Sequence, residues 1–380
     1  VKKINIFGST GSIGTQTLEV VEKFPNEFKV NILSGGNNSK LIIDQARRFN
    51  PKVVLVNPEF FDEVRSNLSG IRVYSNDELG KILEEFNDFD LSMLAVSGIA
   101  GLKFAKEIIN HSSNKSLAIA NKEAIVCCGD IFMKLIKEKN IRLIPVDSEH
   151  NSIFQLMDNL SNEEKESIDK LVITASGGPF LNYSASELEL VTVADAVKHP
   201  RWSMGPKISV DSATLANKAF EIIEAHFLFD KMPVKALIHP ESLVHAILDY
   251  KNGDSRFFVS KPDMRTHISH SLFYPSISKN YGARIDYGSG VSLNFQEIDL
   301  ERFPFVKVAY DLIHRSGPYQ GLIFTIADEI AVSRFLKGEI RFVEIFDCFY
   351  EFYSKNLLKN DLQSIDEVLD TALFHIAKNI

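Results

Sequence analysis

The chain has 380 residues, more than one ordinary core holds, so two or three domains are expected. Its 45% apolar and 24% charged residues match an ordinary soluble protein, and a formal charge of -8 leaves no basic stripe for nucleic acid. Only three cysteines occur, two of them the adjacent Cys127 and Cys128, which gives neither a disulfide framework nor zinc spacing and fits a reducing cytoplasm.

Residues 4–7 predict a buried strand, too short for a signal peptide or a membrane span. Gly8-Ser9-Thr10-Gly11-Ser12-Ile13-Gly14 follows and leads into a helical pattern over 15–23. Strand, glycine turn and helix form the context of a dinucleotide site, where the backbone approaches a pyrophosphate and the helix N-terminus supplies N–H groups. The G-x-x-G-x-x-G spacing is a variant of the usual form, and a plain tight turn is the other reading. A second strand over 28–33 ends at Ser34-Gly35-Gly36-Asn37-Asn38, with no acidic residue to grip a ribose 2′-hydroxyl, which leans toward NADP rather than NAD. Further strands at 53–56, 91–96, 117–120 and 143–146 alternate with helical stretches such as 102–109 and 124–139. That alternation predicts an α/β, Rossmann-like, doubly wound and mostly parallel sheet.

Ligands on such sheets gather at the carboxyl ends of strands. Asn121-Lys122-Glu123 stands at one such end, as a polar site or as a helix start capped by Asn121. Pro145-Val146-Asp147-Ser148-Glu149-His150 stands at the next. In extended backbone, residues two apart point the same way, so Asp147 and Glu149 converge. Two charges about 4 Å apart near a protein surface repel by roughly 4 kcal/mol, so the pair calls for a cation or a proton unless it is only a solvated loop.

Residues 171–175 predict a strand ending in Ser176-Gly177-Gly178-Pro179, a turn that either holds an oxyanion or only reverses the chain. The stretch Lys198 to Gly205 carries the only tryptophan, Trp202, which either anchors the segment or closes over a ligand. Residues 207–210 predict another strand, and Asp211-Ser212-Ala213-Thr214 leads into a helix reaching about 229. On that helix Asn217, Glu221 and Glu224 share one polar stripe, which is either the wet face or, through Glu221, a third oxygen for the acidic pair. Residues 243–250 and 256–260 predict a hairpin on Asn252-Gly253, and 262–274 a helix. Helices over 305–315, stopped by Gly317-Pro318, then 322–336, 343–357 and 364–378, the last opened by a Ser364/Glu367 capping box, predict a helical bundle. The expected domains are a nucleotide domain over 1–147, a central α+β catalytic domain over 148–275, a linker over 276–300 and the bundle over 301–380.

Taken together in chain order, the glycine turn, Ala120-Asn121-Lys122-Glu123, Pro145 to Asn151, Ser176-Gly177-Gly178-Pro179-Phe180, His199-Pro200 with Trp202-Ser203-Met204-Gly205, Asp211 to Thr214, and Asn217-Lys218 with Glu221 resemble the 1-deoxy-D-xylulose 5-phosphate reductoisomerase family. The resemblance implies an NADPH-dependent enzyme using Mg²⁺ or Mn²⁺ in the non-mevalonate isoprenoid pathway, forming 2-C-methyl-D-erythritol 4-phosphate. A bacterial, cytoplasmic homodimer is the implied form. It further implies metal binding by Asp147, Glu149 and Glu221, and substrate or phosphate contacts from Lys122, Ser148, Glu149, Ser176, His199, Trp202, Ser212, Asn217, Lys218 and Glu221. Lys122, Glu149 and His199 are the implied catalytic groups. The implied cofactor contacts are Gly8, Thr10, Gly11, Ser12, Ile13, Gly36, Asn37, Asn38, Asn121, Glu123 and Gly205. Asn37 stands where many members carry a basic residue, with Lys40 or Arg47 as substitutes for the 2′-phosphate contact, and Arg201 replaces the commoner Asn of the His-Pro-x-Trp segment. A dehydrogenase of another phosphorylated hydroxy compound is the alternative.

Overall fold

The computed structural model describes residues 1–113, 115–198, 205–279, 282–315, 320–356 and 362–379. Its contacts divide the chain into two units: Val1–Asn121 with Lys134–Asn151 and Asp263–Gly282, and Lys122–Met133 with Ser152–Pro262 and Ala283–Ile380.

In the first unit, seven parallel strands form one sheet: β1 (Lys2–Phe7), β2 (Phe28–Ser34), β3 (Val53–Val56), β4 (Arg72–Ser75), β5 (Leu91–Leu94), β6 (Ser116–Ile119) and β7 (Arg142–Pro145). Their order is β4-β3-β2-β1-β5-β6-β7, so the winding reverses between β1 and β5. That reversal opens the crevice in which such sheets take nucleotides. Apolar side chains dominate the sheet's interior: Ile4, Ile6, Val54, Val56, Met93, Ala118 and Ile144 all lie in one core. Ile268, Leu272 and Phe273 of the helix Met264–Phe273 join it, with the Phe273 ring 4.8 Å from that of Phe28. β4 escaped the sequence reading because Val73 alone of its four residues is buried, which leaves no apolar run to detect.

The second unit holds a mixed sheet of β8 (Ile168–Ala175), β9 (Val234–Ile238), β10 (Val244–Tyr250), β11 (Ser255–Val259) and β12 (Gln296–Glu297), in the order β11-β10-β8-β9-β12. β10 and β11 are the expected hairpin, turned through Gly253 at φ +93°. β12 is a two-residue edge inside the stretch read as linker. The expected strand over 207–210 is instead part of the helix Pro206–Thr214, with Gly205 at its cap and Pro206 in its first turn. Proline at that position costs no hydrogen bond and fixes a helical φ, which outweighs the β-branched Ile208 and Val210. Leu215, at φ +58°, separates that helix from the next, Ala216–Leu228. The helix Lys122–Glu138 is likewise broken at Gly129 (φ 46°, ψ -118°), where an added Cβ would lie 2.6 Å from the Phe227 ring.

The C-terminal helices are Pro304–Arg315, Gln320–Leu336, Ile345–Lys355 and Ile365–Asn379; Gly317 and Pro318 lie outside the described residues. Phe349 packs on Phe305 at 4.7 Å and on Phe324 at 5.0 Å, and Phe220 of Ala216–Leu228 meets Phe324 edge-on at 5.1 Å. These rings join the helices to the unit holding the mixed sheet, whereas Met264–Phe273 belongs to the first unit. The partition therefore runs differently from the expected one.

Candidate active site

Three of the glycine turn's residues show what its spacing is for. Gly8 sits at φ +85° with its N–H on the Ser34 carbonyl, and an added Cβ would lie 2.6 Å from the Ala95 carbonyl oxygen. At Gly14 an added Cβ would lie 2.2 Å from the Gly8 carbonyl oxygen, so this residue sets how closely the helix Ser12–Lys23 approaches β1. Gly11, the cap residue, has nothing nearer than 3.4 Å and brings no side chain to the helix end. Gly11 and Ser12 are exposed, and Thr10 and Ile13 half-buried. Ser9 exchanges two hydrogen bonds of 2.8 Å with Gln45, tying the turn to the helix Ser39–Phe49. The result is a rigid N-terminus open to a phosphate.

Beyond β2, Gly36 is half-buried, Asn37 and Asn38 are exposed, and Asn38 caps the helix by accepting the Leu41 N–H at 3.0 Å. Arg47 donates to the Asn67 carbonyl at 3.1 Å, which occupies it away from the tip of β2. Asn121 is buried and donates to the carbonyls of Val96 and Gly98, both at 3.0 Å, clamping two strand-end loops together.

At the end of β7 the acidic pair arises differently from the extended-strand expectation. Ser148 already opens the helix Ser148–Met157, so Glu149 lies in its first turn and Asp147 just before it. The Asp147 carboxylate accepts the Glu149 N–H at 3.3 Å, and the Ser148 hydroxyl donates to Glu149. A cap and a helical first turn thus bring the two acids together, where the positive end of the helix offsets part of their repulsion. Asn151 escaped the sequence reading as an anchor of this turn. Its amide donates to the Pro145 carbonyl at 2.8 Å, lies 3.1 Å from His270 Nδ1, and is met by His267 Nδ1 at 3.2 Å, all of it buried. Both histidines are more than a hundred residues away in sequence, so no local pattern marks them.

In the second unit the polar stripe of Ala216–Leu228 turns largely inward: Glu221 and Glu224 are 2% exposed and Asn217 is half-buried, while Lys218 beside them is 3% exposed. The Glu221 carboxylate accepts from Lys218 and from Asn217, and Lys122 Nζ lies 3.5 Å away. Lys218 also donates to the Thr174 carbonyl, which fixes the helix to the end of β8. Next to it, Ser176 Oγ accepts the Gly178 N–H at 3.3 Å. Gly178 (φ +72°) passes so near the helix Pro206–Thr214 that an added Cβ would lie 2.6 Å from the Ser212 carbonyl oxygen. The close approach sets Ser176 beside the turn of helix that carries Ser212.

The same helix is anchored from behind: Lys207 Nζ lies 2.8 Å from Asp211 and 2.6 Å from Asp328, with Glu123 and Glu329 contributing to its field. Burial, reinforced by Asp328 and Glu123 and opposed by Lys207, pushes the Glu329 carboxyl up to about 7. Burial and Asp328 also hold Asp211 well above the usual carboxylate range. Gly205 is exposed at the cap of this helix, while His199 and Trp202 lie outside the described residues.

Comparison with known proteins gives three consecutive matches along the chain. Residues 4–129 match the family model for 1-deoxy-D-xylulose 5-phosphate reductoisomerase, 143–229 its C-terminal domain model, and 259–373 the DXP reductoisomerase C-terminal domain model. The reductoisomerase of Caldanaerobacter subterraneus is 42% identical over 97% of this chain and 96% of its own, and that of a Wolbachia from Drosophila simulans 40% over 97% and 95%. Among solved structures, the Zymomonas mobilis reductoisomerase in complex with NADPH superposes with a TM-score of 0.88 at 32% identity, covering 100% of this chain and 98% of that one. A reductoisomerase in complex with NADPH, fosmidomycin and magnesium gives 0.91 at 31%, covering 100% and 96%. Matched in chain order from the first strand to the last helices, this chain belongs to the 1-deoxy-D-xylulose 5-phosphate reductoisomerase family.

Proposed function

We infer that the protein converts 1-deoxy-D-xylulose 5-phosphate to 2-C-methyl-D-erythritol 4-phosphate, a carbon-skeleton rearrangement followed by NADPH-dependent reduction in isoprenoid biosynthesis. Family membership over the whole chain is the observation that carries this reading.

The proposed metal ligands are Asp147, Glu149 and Glu221, two half-buried and one buried, each offering a carboxylate oxygen. An all-oxygen donor set is hard, suits Mg²⁺ or Mn²⁺ and disfavours zinc, so the residues fit the expected ion. A divalent ion there supplies Lewis acidity toward a ketone and its neighbouring hydroxyl. NADPH supplies the hydride, and its pyrophosphate fits the open N-terminus formed by Thr10 to Ile13.

The remaining roles fall to the chain's own groups. Lys122, held beside Glu221, supports negative charge developing on a substrate oxygen. Ser176, Ser212, Asn217 and Lys218 form a cup of neutral donors and one cation for the phosphate. Ser148 orients the Glu149 carboxylate by the hydrogen bond it donates. His199 and Trp202 are assigned to covering the substrate and excluding water. We assign the protein to the cytoplasm as a homodimer; sedimentation of the purified chain tests the dimer and cell fractionation the location. No helix among the described residues is long and apolar enough to cross a membrane.

The reading is tested by following NADPH oxidation with 1-deoxy-D-xylulose 5-phosphate, with and without chelator, and determining the product's carbon skeleton by NMR. A branched product formed only with divalent metal is expected. An unbranched product would support the simple dehydrogenase instead.

A further inference from the structure

At the tips of three neighbouring strands stands a ladder of side-chain amides. Asn76, following β4, donates from Nδ2 to the Gly35 carbonyl at 3.2 Å and to Asn57 Oδ1 at 2.8 Å. Asn57, following β3, donates from Nδ2 to Asn37 Oδ1 at 2.9 Å. Asn37, following β2, is exposed.

The direction of this ladder follows from its first member. A backbone carbonyl can only accept, so Gly35 obliges Asn76 to turn its NH₂ group inward. That NH₂ obliges Asn57 to offer its oxygen, and the NH₂ of Asn57 then obliges Asn37 to do the same. One face of the Asn37 amide is therefore committed as an acceptor, and its NH₂ is left to point outward. Reversing a rung would set two NH₂ groups or two oxygens against each other, a mismatch that costs the half-buried amides of Asn57 and Asn76 their mutual hydrogen bonds.

The tip of the second strand of a doubly wound sheet is where the ribose 2′-position of a dinucleotide is read. We propose that Asn57 and Asn76 are positioning residues for cofactor choice: through the ladder they hold Asn37 with its NH₂ group outward, as the donor that recognises the 2′-phosphate of NADPH. This rests on the NADPH-dependent reading above and deepens it. The ladder gives a role to Asn37 that needs no cation at that position, and Arg47 is already committed to the Asn67 carbonyl.

The ladder also defines its own test. In Asn57→Asp the second rung can accept from Asn76 but has no NH₂ for Asn37, which then turns to donate inward and presents its oxygen to the phosphate. Asn57→Leu removes the same donor without adding charge, so it separates loss of amide direction from electrostatic repulsion. Dissociation constants for NADPH and NADH are measured by fluorescence titration of the purified full chain, without substrate. The expected result is that NADPH binding weakens about a hundredfold in Asn57→Asp and about tenfold in Asn57→Leu, the latter the low end of what one hydrogen bond to a charged group contributes. NADH, which lacks the phosphate, binds all three proteins within about twofold, and that constancy also shows that the variants are folded. Equal losses for both nucleotides, or unchanged NADPH binding in Asn57→Leu, would overturn the inference. Wild-type protein that binds neither nucleotide would instead refute the cofactor reading on which it rests.

Discussion

The replacement Glu221→Gln isolates the energetics of the buried charge cluster from its role in chemistry. Glu221 is 2% exposed and Lys218 3%, and Lys122 stands 3.5 Å from the same carboxylate. Glutamine keeps the shape and removes the negative charge, leaving two buried ammonium groups without their counter-charge. Breaking a buried pair from one side costs about 3–5 kcal/mol, far more than the pair is worth against a well-packed apolar replacement. In chelator, the free energy of unfolding of the second unit, followed by urea titration and circular dichroism, should fall by about that amount. Adding Lys218→Met to Glu221→Gln should recover about 2 kcal/mol, because the ammonium left behind is gone too. Divalent metal should then separate binding from stability. A saturating ion at about a hundred times its dissociation constant stabilises the wild type by about 2.7 kcal/mol, and should do nothing for Glu221→Gln if that carboxylate is a ligand. A variant whose stability in chelator stays within about 0.5 kcal/mol of wild type, the range of an ordinary surface substitution, would refute the buried-cluster argument.

Other positions make equally direct tests. Gly11→Ala should leave the NADPH dissociation constant within about threefold of wild type, whereas Gly14→Ala, whose Cβ would lie 2.2 Å from a backbone oxygen, should abolish binding or folding, as fluorescence titration and thermal melting would show. Gly178→Ala adds a left-handed penalty of about 1–2 kcal/mol to a backbone clash, so substrate KM should rise about tenfold or more. Gly177→Ala, at φ +88°, carries the same left-handed penalty but meets only the movable Leu181 side chain in place of backbone, and should raise KM less in the same steady-state assay. Glu329, ordinarily near 4.5 and pushed up to about 7, holds its proton in the folded protein where the unfolded chain has lost it. Its contribution is therefore complete below pH 4.5 and is lost as pH rises through about 7, a fall of about 3 kcal/mol at about 1.4 kcal/mol per pH unit. Glu329→Gln should flatten that slope in urea titrations between pH 5 and 8, and an unchanged slope would show that burial does not shift this carboxyl.

Local pattern was sufficient wherever one physical cause dominates a stretch. The glycine turn was readable because a strand must pass into a helix with no room for side chains at Gly8 and Gly14. The hairpin was readable because Asn252-Gly253 allows the left-handed turn that joins β10 to β11. Where two causes compete, the pattern misled. Residues 207–210 carry β-branched side chains but follow a glycine cap and Pro206, and the helix prevails. The expected convergence of Asp147 and Glu149 rested on strand alternation, whereas in the structure a helical first turn brings them together.

What the sequence by itself determined is therefore the inventory and its order: which residue types are available at which strand ends, and the family they identify. What only the tertiary structure decided is which of them are dry and which partners orient them. The stripe of Asn217, Glu221 and Glu224 has the same spacing whether it faces water or a core, and only the packing of Ala216–Leu228 against β9 and the helix Pro304–Arg315 turned its two glutamates inward, with Lys218 reaching the Thr174 carbonyl. The Asn37–Asn57–Asn76 ladder likewise joins three strand ends. Hydrogen-bond direction there depends on a backbone carbonyl, Gly35, whose position is set by sheet register and not by any neighbour in the chain.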